Sequence, residues 1–191
     1  MSTIAALHVK MEGFTAFFKH PLTITGTQIS LPCPPYSTLL GMLSAITGRI
    51  IQPLDTRIGF EFYCSSRDVE IEKTDRLSLA KDVLSPHKDG QGIIKRYIYF
   101  RPELDLYVTN LELESAFLSP VSTPSFGRSQ DIAWIKKVER VNLSTVSSGM
   151  LGATLIPEIQ MNIPSLIVRC PEWFENTVEG KTRLAGPFGF Y

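Results

Sequence analysis

The feature that most constrains the fold is a strict alternation of apolar and polar residues near the start of the chain. Leu7, Val9 and Met11 are separated by polar residues at positions 8, 10 and 12. A period of two places every apolar side chain on one face of an extended strand. The pattern therefore predicts a half-buried β-strand, with His8 on its polar face.

The next strong signal is a helix, predicted over residues 37–48. Pro35 precedes it, Ser37 is a candidate N-cap, and Gly48 is a candidate end. Its apolar stripe is formed by Leu39, Leu40, Met42, Leu43 and Ile46. Gly41 lies inside this helix, where glycine costs about 1 kcal/mol relative to alanine. Its presence indicates a close approach by another backbone, of protein or of RNA.

The remaining segments complete an α+β pattern. Further strands are predicted at 58–64, 93–100, 104–109 and 137–143, with a short helix at 111–118. Residues 74–92 are mostly polar and predict a protruding, mobile connection. The order of elements fits a ferredoxin-like β-α-β-β-α-β unit over residues 1–145, with a β-rich extension over 146–191. Such a unit resembles RNA-recognition (RRM-like) domains, although a fold alone does not define function.

Composition narrows the function classes. The chain has 191 residues, of which 43% are hydrophobic, which suits one large domain or one domain with a long appendage. It carries 19 basic and 19 acidic residues. A net charge of zero counts against a solitary nucleic-acid binder. The same net charge is compatible with a subunit that binds nucleic acid through a local basic face and protein partners through an acidic face.

Cysteine usage and hydropathy indicate the compartment. Cys33, Cys64 and Cys170 form no C-x-x-C pair and are too scattered for a disulfide framework, so we expect thiols in a reducing environment. No apolar run reaches the roughly 18 residues of a membrane helix, and the N-terminal apolar part is too short for a secretory signal. We expect a cytoplasmic protein without membrane contact. No metal-ligand or phosphate-loop motif is present, so no cofactor is expected.

Two blocks of sequence carry a family resemblance. The first comprises GFTAFFKHP at 13–21 and PPYSTLLGML at 34–43. The second comprises RPELDLYV at 101–108 and PSFGRSQDIAWI at 124–135. They resemble the fifth CRISPR-associated family of the RAMP superfamily, which has a G-x-x-x-x-F loop, a P-P-x-S/T-x-x-x-G-x-L helix and an S-L-G-R-S-x-D-x-A loop. Phe126 replaces the leucine of the last motif.

The resemblance implies a subunit of type I Cascade that binds the repeat-derived 5′ handle of the guide RNA (crRNA) by its backbone. The protrusion, with His87 and Lys88 at its tip, corresponds to a thumb that packs over a neighbouring subunit and displaces a guide base. The implied partners are the crRNA 5′ handle, the Cascade backbone subunit and the Cascade large subunit. Contact with target DNA near the adjacent motif stays open, as does a role in defence or in a guided transposon.

The loop Gly127-Arg128-Ser129-Gln130 is the first candidate RNA site. Glycine permits a positive φ and a close approach. Arginine offers a two-pronged fork to phosphate, and Ser129 and Gln130 provide further hydrogen bonds. Because the loop is expected at the surface, replacing Arg128 should leave fold stability almost unchanged. The alternative is a plain surface turn.

The helix N-terminus and several basic residues complete the candidate set. At Ser37-Thr38, unpaired N–H groups offer a phosphate site, and Tyr36 is placed to stack on a base or ribose. The basic candidates are Lys19, His20, Lys95, Lys181 and Arg183. Lys95, which precedes Arg96, shares a strand face with Tyr97 and Tyr99, a pattern of RNA-facing sheets. A capped core helix and ordinary solvated faces are the alternatives.

Catalysis is the main competing hypothesis. Metal-free RNA cleavage needs a base near the 2′-OH and a cation for the developing charge. Lys19, His20 and Tyr36 are the only constellation that offers both, and in one subtype the family resemblance implies a Tyr, Lys and His set that cuts the precursor. The leading hypothesis is a non-catalytic RNA-binding subunit. The alternatives are a metal-independent endoribonuclease that processes precursor crRNA, and an RRM-like module that binds only protein.

Overall fold

The structure is a computed structural model that describes residues 3–23, 26–80, 82–156, 165–176 and 183–191. The strands are β1 (Thr3–Gly13), β2 (Thr15–Ala16), β3 (Thr27–Gln28), β4 (Ile58–Tyr63), β5 (Ser66–Ala80), β6 (Val83–Phe100), β7 (Glu103–Val108), β8 (Ala133–Ser144), β9 (Arg169–Pro171), β10 (Phe174–Asn176), β11 (Arg183–Ala185) and β12 (Phe188–Phe190). The helices are α1 (Tyr36–Thr47), a 3-10 turn (Leu111–Leu113) and α2 (Glu114–Leu118).

The central sheet has the strand order β4-β7-β1-β8, and all its neighbouring pairs are antiparallel. In the chain, α1 lies between β1 and β4, and α2 lies between β7 and β8. Leu7 pairs with Val108 and Val9 pairs with Leu106, and all four side chains are fully buried. The alternation at 7–12 therefore predicted the buried face of β1 correctly.

Helix α1 covers this buried face with one stripe of apolar side chains. Leu39, Leu43 and Ile46 are buried in the same core cluster as the strand residues. Gly48 ends the helix in the left-handed region, with φ of 69°, a conformation that costs glycine little. The predicted helix is confirmed to within one residue. The predicted cap is wrong: Pro35 is the N-cap residue, no side chain caps the helix, and Ser37 is buried in the first turn.

A second sheet carries a long hairpin. It has the order β2-β6-β3, and β5 pairs with β6 along almost its whole length. The pairing continues to Ala80 and Val83, so residues 74–92 belong to a regular hairpin over 66–100. The protruding connection predicted over 74–92 is thus part of a hairpin that extends beyond those bounds on both sides. Most of its described residues are exposed, on both faces, and a strand without a buried face leaves no apolar alternation to detect.

The end of the chain adds two small antiparallel ribbons, β9 with β12 and β10 with β11. Val168 and Cys170 are buried in the main core cluster, and Tyr191 packs against it. The α+β prediction is confirmed as a mixed architecture of mostly antiparallel sheets with few helices. Within the described ranges, none of the helices is long and apolar enough to cross a membrane.

Candidate nucleic-acid interface

A cavity of about 600 Å³ opens beside the N-terminal half of α1. Its walls come from the segment after β2, the strands β3 and β6, the loop before β8, and the ribbon strand β9. Five of the predicted RNA-binding residues line it, although they are far apart in sequence. These are Lys19, Ser37, Thr38, Gly127 and Arg128.

Gly127 fixes the loop against the cavity wall. Its φ is +109°, and a Cβ built on it would lie 2.0 Å from the carbonyl oxygen of Phe17. The neighbouring backbone is held by a hydrogen bond from the Phe17 N–H to the Phe126 carbonyl at 3.0 Å. Only glycine fits this position, so the predicted positive φ and close approach are both confirmed. The approaching backbone belongs to the protein itself.

Arg128 is part of the structure of this loop. Its Nε and Nη2 donate to the two carboxylate oxygens of Asp131, each at 2.8 Å. Asp131 is fully buried and also accepts from the Thr15 hydroxyl at 2.6 Å. The Arg128 side chain is only 14% exposed. The expectation that Arg128 is a surface residue of little importance for stability is therefore wrong.

The third guanidinium nitrogen of Arg128 contacts the β5–β6 hairpin. Its Nη1 donates to Glu70 of β5. Burial alone would lower the pKa of Arg128, but the hydrogen bonds to Asp131 and Glu70 outweigh it and raise that pKa above its ordinary value. The guanidinium also lies 5.4 Å from the centre of the Phe17 ring. Each of the three guanidinium nitrogens of Arg128 therefore donates a hydrogen bond to a carboxylate of the same chain.

A second arginine, Arg96, also lines the cavity. The sequence prediction named its neighbour Lys95 as the RNA-binding residue instead. Successive residues of a strand face opposite sides, and Arg96 is the one that lines the cavity while Lys95 is exposed elsewhere. Arg96 Nε donates to the Gln28 oxygen at 2.9 Å, and its Nη1 donates to Glu72. The long-range pairing of β3 with β6, which aligns Gln28 with Arg96, decided between the two neighbours.

The N-terminal turns of α1 form part of the cavity wall. No acidic residue lies in the first turn, and Ser37 and Thr38 both line the cavity. The Thr38 N–H donates to the Pro35 carbonyl at 2.8 Å, so the prediction of an unpaired N–H at Thr38 is wrong. One turn further on, Gly41 also lines the cavity, and a Cβ at this position would meet nothing within 4 Å. The close neighbour predicted for Gly41 is therefore absent among the described residues. Lys19 is exposed at the rim and has no ion pair within the part of the chain that the structure describes.

The structure does not gather Lys19, His20 and Tyr36 on the cavity wall. The His20 Nδ1 accepts from the Leu22 N–H at 3.2 Å, which closes a turn. Tyr36 faces the core, with its ring 6.0 Å from Phe60. Burial raises the pKa of Tyr36. Only Lys19 of the three lines the cavity.

Several further candidates lie outside the cavity. Ser129 and Gln130 are exposed beside it. His87 and Lys88 lie within β6, whereas the hairpin turns between Ala80 and Val83. Lys181 lies outside the described residues, and Arg183 is the first residue of β11. The RNA-binding role of each stays a prediction.

The charged residues that line the cavity are all basic. They are Lys19, Arg96 and Arg128, and none of the described lining residues is acidic. Carboxylates behind the lining pair with the two arginines, namely Glu72 with Arg96, and Glu70 and Asp131 with Arg128. Among the described residues, no group of acidic, histidine or cysteine side chains could hold a metal ion. Fold and cavity together define a mixed α/β protein with a cationic cleft beside a helix N-terminus.

Comparison with known proteins gives a family match for the N-terminal segment. Residues 6–60 match the family model described as "CRISPR-associated protein (Cas_Cas5)". Over this segment the match confirms the family resemblance that the sequence motifs indicate. None of the curated proteins matches the sequence.

Solved structures agree on the fold. A chain of a "CRISPR RNA-guided surveillance complex" superposes with a TM-score of 0.55 at 18% identity, covering 99% of this chain and 88% of that one. A chain of a "Type III-B Cmr-beta bound to cognate target RNA" gives a TM-score of 0.49 at 14% identity, covering 97% and 86%. At these identities only the first match carries weight, and it shows a shared fold alone.

Proposed function

We propose that the protein is a non-catalytic subunit of a type I CRISPR Cascade complex and that it binds the crRNA 5′ handle in the cavity beside α1. The observation that carries this proposal is the convergence of three basic side chains, Lys19, Arg96 and Arg128, on one cavity whose described lining contains no acidic residue. Among the described residues Lys19 has no ion pair, whereas the two arginines are paired with carboxylates behind the lining. The family match and the similarity of the fold to a subunit of an RNA-guided complex support it.

The cavity has the features that a single RNA strand requires. Lys19, which has no ion pair among the described residues, is available to phosphate, and the positive end of the α1 dipole beside it favours an anion. Apolar lining residues such as Pro35, Met42 and Phe174 offer surface to a base. Gly41 leaves open space along the helix, so that a sugar–phosphate backbone can approach closely.

The architecture supports two features that the family resemblance implies, a ferredoxin-like unit and a thumb. The central sheet with two helices in its connections is, in this proposal, the ferredoxin-like unit, and the β5–β6 hairpin is the thumb. Near its tip, Leu79 pairs with Leu84 and Leu77 pairs with Pro86, so their side chains share one face. The three leucines are 59–67% exposed. An exposed apolar face of this kind indicates a protein contact, which we assign to the adjacent backbone and large subunits.

A binding experiment tests the RNA site. We expect Lys19→Ala to weaken binding of a labelled, repeat-derived RNA and to flatten the dependence of log Kd on log salt by about 0.7, the value for one phosphate contact on a single strand. Lys10→Ala is the matched control, because Lys10 lies on the opposite, open face of the central sheet and pairs with Glu103. Equal binding and equal salt slopes for the two variants would remove the cavity as the RNA site.

The non-catalytic part of the proposal has its own test. Its support is that neither His20 nor Tyr36 lines the cavity with Lys19, since a general base must lie within hydrogen-bond reach of its proton. Purified protein incubated with its cognate repeat RNA in chelator should leave the RNA intact. Cleavage at one phosphodiester that disappears in His20→Ala would establish the endoribonuclease alternative instead.

A further inference from the structure

Both cavity arginines are held by glutamates of the same hairpin strand. Arg128 donates its Nη1 to Glu70, and Arg96 donates its Nη1 to Glu72 and its Nη2 to the same carboxylate at 3.5 Å. Glu70 and Glu72 are two residues apart on β5, so they project from the same side of the strand. Neither glutamate lines the cavity, so both reach the arginines from the hairpin side.

Each arginine has one buried partner, called its anchor here, and one partly exposed partner on β5. The anchor of Arg128 is Asp131, which is fully buried, and the anchor of Arg96 is Gln28, which is 5% exposed. The hairpin partners are different, because the side chains of Glu70 and Glu72 are 33% and 34% exposed. A partly exposed carboxylate regains water easily when it leaves its partner, whereas a buried one does not.

We propose that Glu70 and Glu72 compete with RNA phosphates for Arg128 and Arg96, and that they are displaced when RNA enters the cavity. The inference rests on the proposed RNA-binding function. Carboxylate and phosphate oxygens accept the same charge-assisted hydrogen bonds from a guanidinium. Asp131 and Gln28 keep the two arginines in place throughout, so only the hairpin contacts exchange.

The exchange at Arg128 couples the hairpin to the loop before β8. In the free protein, the Glu70–Arg128 ion pair ties β5 to that loop, whereas the Glu72–Arg96 pair joins β5 to β6 within the hairpin itself. RNA binding breaks both pairs, and the loss of the first releases the hairpin from the loop. Linkage is reciprocal, so a subunit that draws Glu70 away from Arg128 strengthens RNA binding.

Replacing the glutamates by glutamine tests the exchange. We measure Kd for the repeat-derived RNA across a salt series with the full chain and with Glu70→Gln, Glu72→Gln and the double variant. A displaced carboxylate takes up a cation, which offsets the counterion that the phosphate releases. The double variant should therefore bind more tightly, by up to about fivefold for each site, and its salt dependence should steepen by up to about 1.4.

Asp68→Asn is the matched control. Asp68 lies on the same side of β5, two residues before Glu70, and its carboxylate accepts from the Val69 N–H at 2.7 Å with no arginine partner among the described residues. It removes the same charge without freeing a cavity arginine, so it should leave the salt slope unchanged. Weaker binding of the glutamine variants, or binding equal to that of Asp68→Asn, would overturn the inference and leave the glutamates as positioning residues.

The Lys19→Ala variant separates the two proposals. If Lys19→Ala weakens binding while the glutamine variants do not tighten it, the competition is disproved and the RNA site stands. If the unchanged protein binds no RNA, both proposals fail together. Thermal unfolding of each glutamine variant, measured beside the binding, shows whether a loss of affinity comes from a loss of folded protein.

Discussion

The open face of the central sheet and the cavity beside α1 differ in the charged residues that line them. The open face, away from α1, carries more carboxylates than cations. The acidic residues there are Glu12, Glu61, Glu103, Asp105 and Glu139, against Lys10, Lys136 and Lys137. The charged residues that line the cavity are all basic, and the carboxylates that pair with its two arginines lie behind the lining. A net charge of zero for the whole chain conceals this difference between the two surfaces.

The difference shows which side of the fold can accept RNA. In RRM domains the exposed sheet face stacks bases on aromatic side chains. Here the ring of Tyr107 on that face is already stacked on His8, with centroids 4.7 Å apart. His8 also contacts Asp105 at 2.6 Å and Glu139 at 3.0 Å. The open face is thus acidic and internally bonded, which suits a protein partner better than a nucleic acid.

The largest expected effect distinguishes a buried ion pair from an exposed one. Arg128→Ala leaves the fully buried carboxylate of Asp131 without its cation, so we expect the free energy of unfolding to fall by about 3–5 kcal/mol. Arg140→Ala is the control, because Arg140 is 64% exposed where it pairs with Glu114. The loss of stability in Arg140→Ala should be far smaller, because water screens an exposed ion pair. Denaturant titration measures both, and equal losses would contradict the structural role of Arg128.

A carboxylate placed in the cavity should have opposite effects on stability and on binding. Thr38→Glu puts a negative charge in the first turn of α1, which has no acidic residue, and this should stabilise the helix by about 0.3–1 kcal/mol. The same charge repels phosphate, so we expect RNA affinity to drop by about tenfold or more. Lys10→Glu changes the charge of the open face by two units and should affect binding much less. A comparable loss from Lys10→Glu would erase the distinction between the two sides.

Gly41→Ala adds one methyl group to the cavity wall and tests whether RNA passes along α1. Since a Cβ at Gly41 meets nothing within 4 Å, alanine should raise the free energy of unfolding by about 1 kcal/mol. RNA affinity should fall if the sugar–phosphate backbone passes over this position. Ala45→Gly, one turn along the same cavity wall, is the inverse control: it should destabilise the helix without obstructing RNA. Unchanged affinity in Gly41→Ala would mean that the RNA does not follow α1.

The smallest expected effect lies on the open face and depends on pH. Hydrogen bonds from Lys137 and His8 lower the pKa of Glu139 from its ordinary value of 4.5. A carboxyl whose pKa is lower in the folded state stabilises the fold above its unfolded pKa, and that contribution is lost as the pH falls through the folded pKa. Glu139→Gln should therefore flatten the stability profile slightly below about pH 4.5. RNA binding near neutral pH should not change, and a change there would link the two faces.

Local patterns predicted local structure well. The alternation at 7–12 predicted β1, the stripe between Pro35 and Gly48 predicted α1, and Gly127 predicted a positive φ, because each depends on neighbouring residues. The sequence predicted a protruding thumb over 74–92 but not the length of the hairpin, which runs over 66–100. Its length is set by cross-strand pairing, and an exposed hairpin has no buried side to mark it.

The candidate site depended on contacts that no local pattern contains. The sequence by itself determined the main elements, the family motifs and the types of residue available to RNA. Only the tertiary structure decided that Lys19 and Arg128 meet at one cavity while Tyr36 turns to the core. The partner of Arg128 on the hairpin, Glu70, lies 58 positions away in sequence. Such pairs form only when the sheets bring distant strands together, and that long-range pairing is the physical reason why they stayed unpredicted.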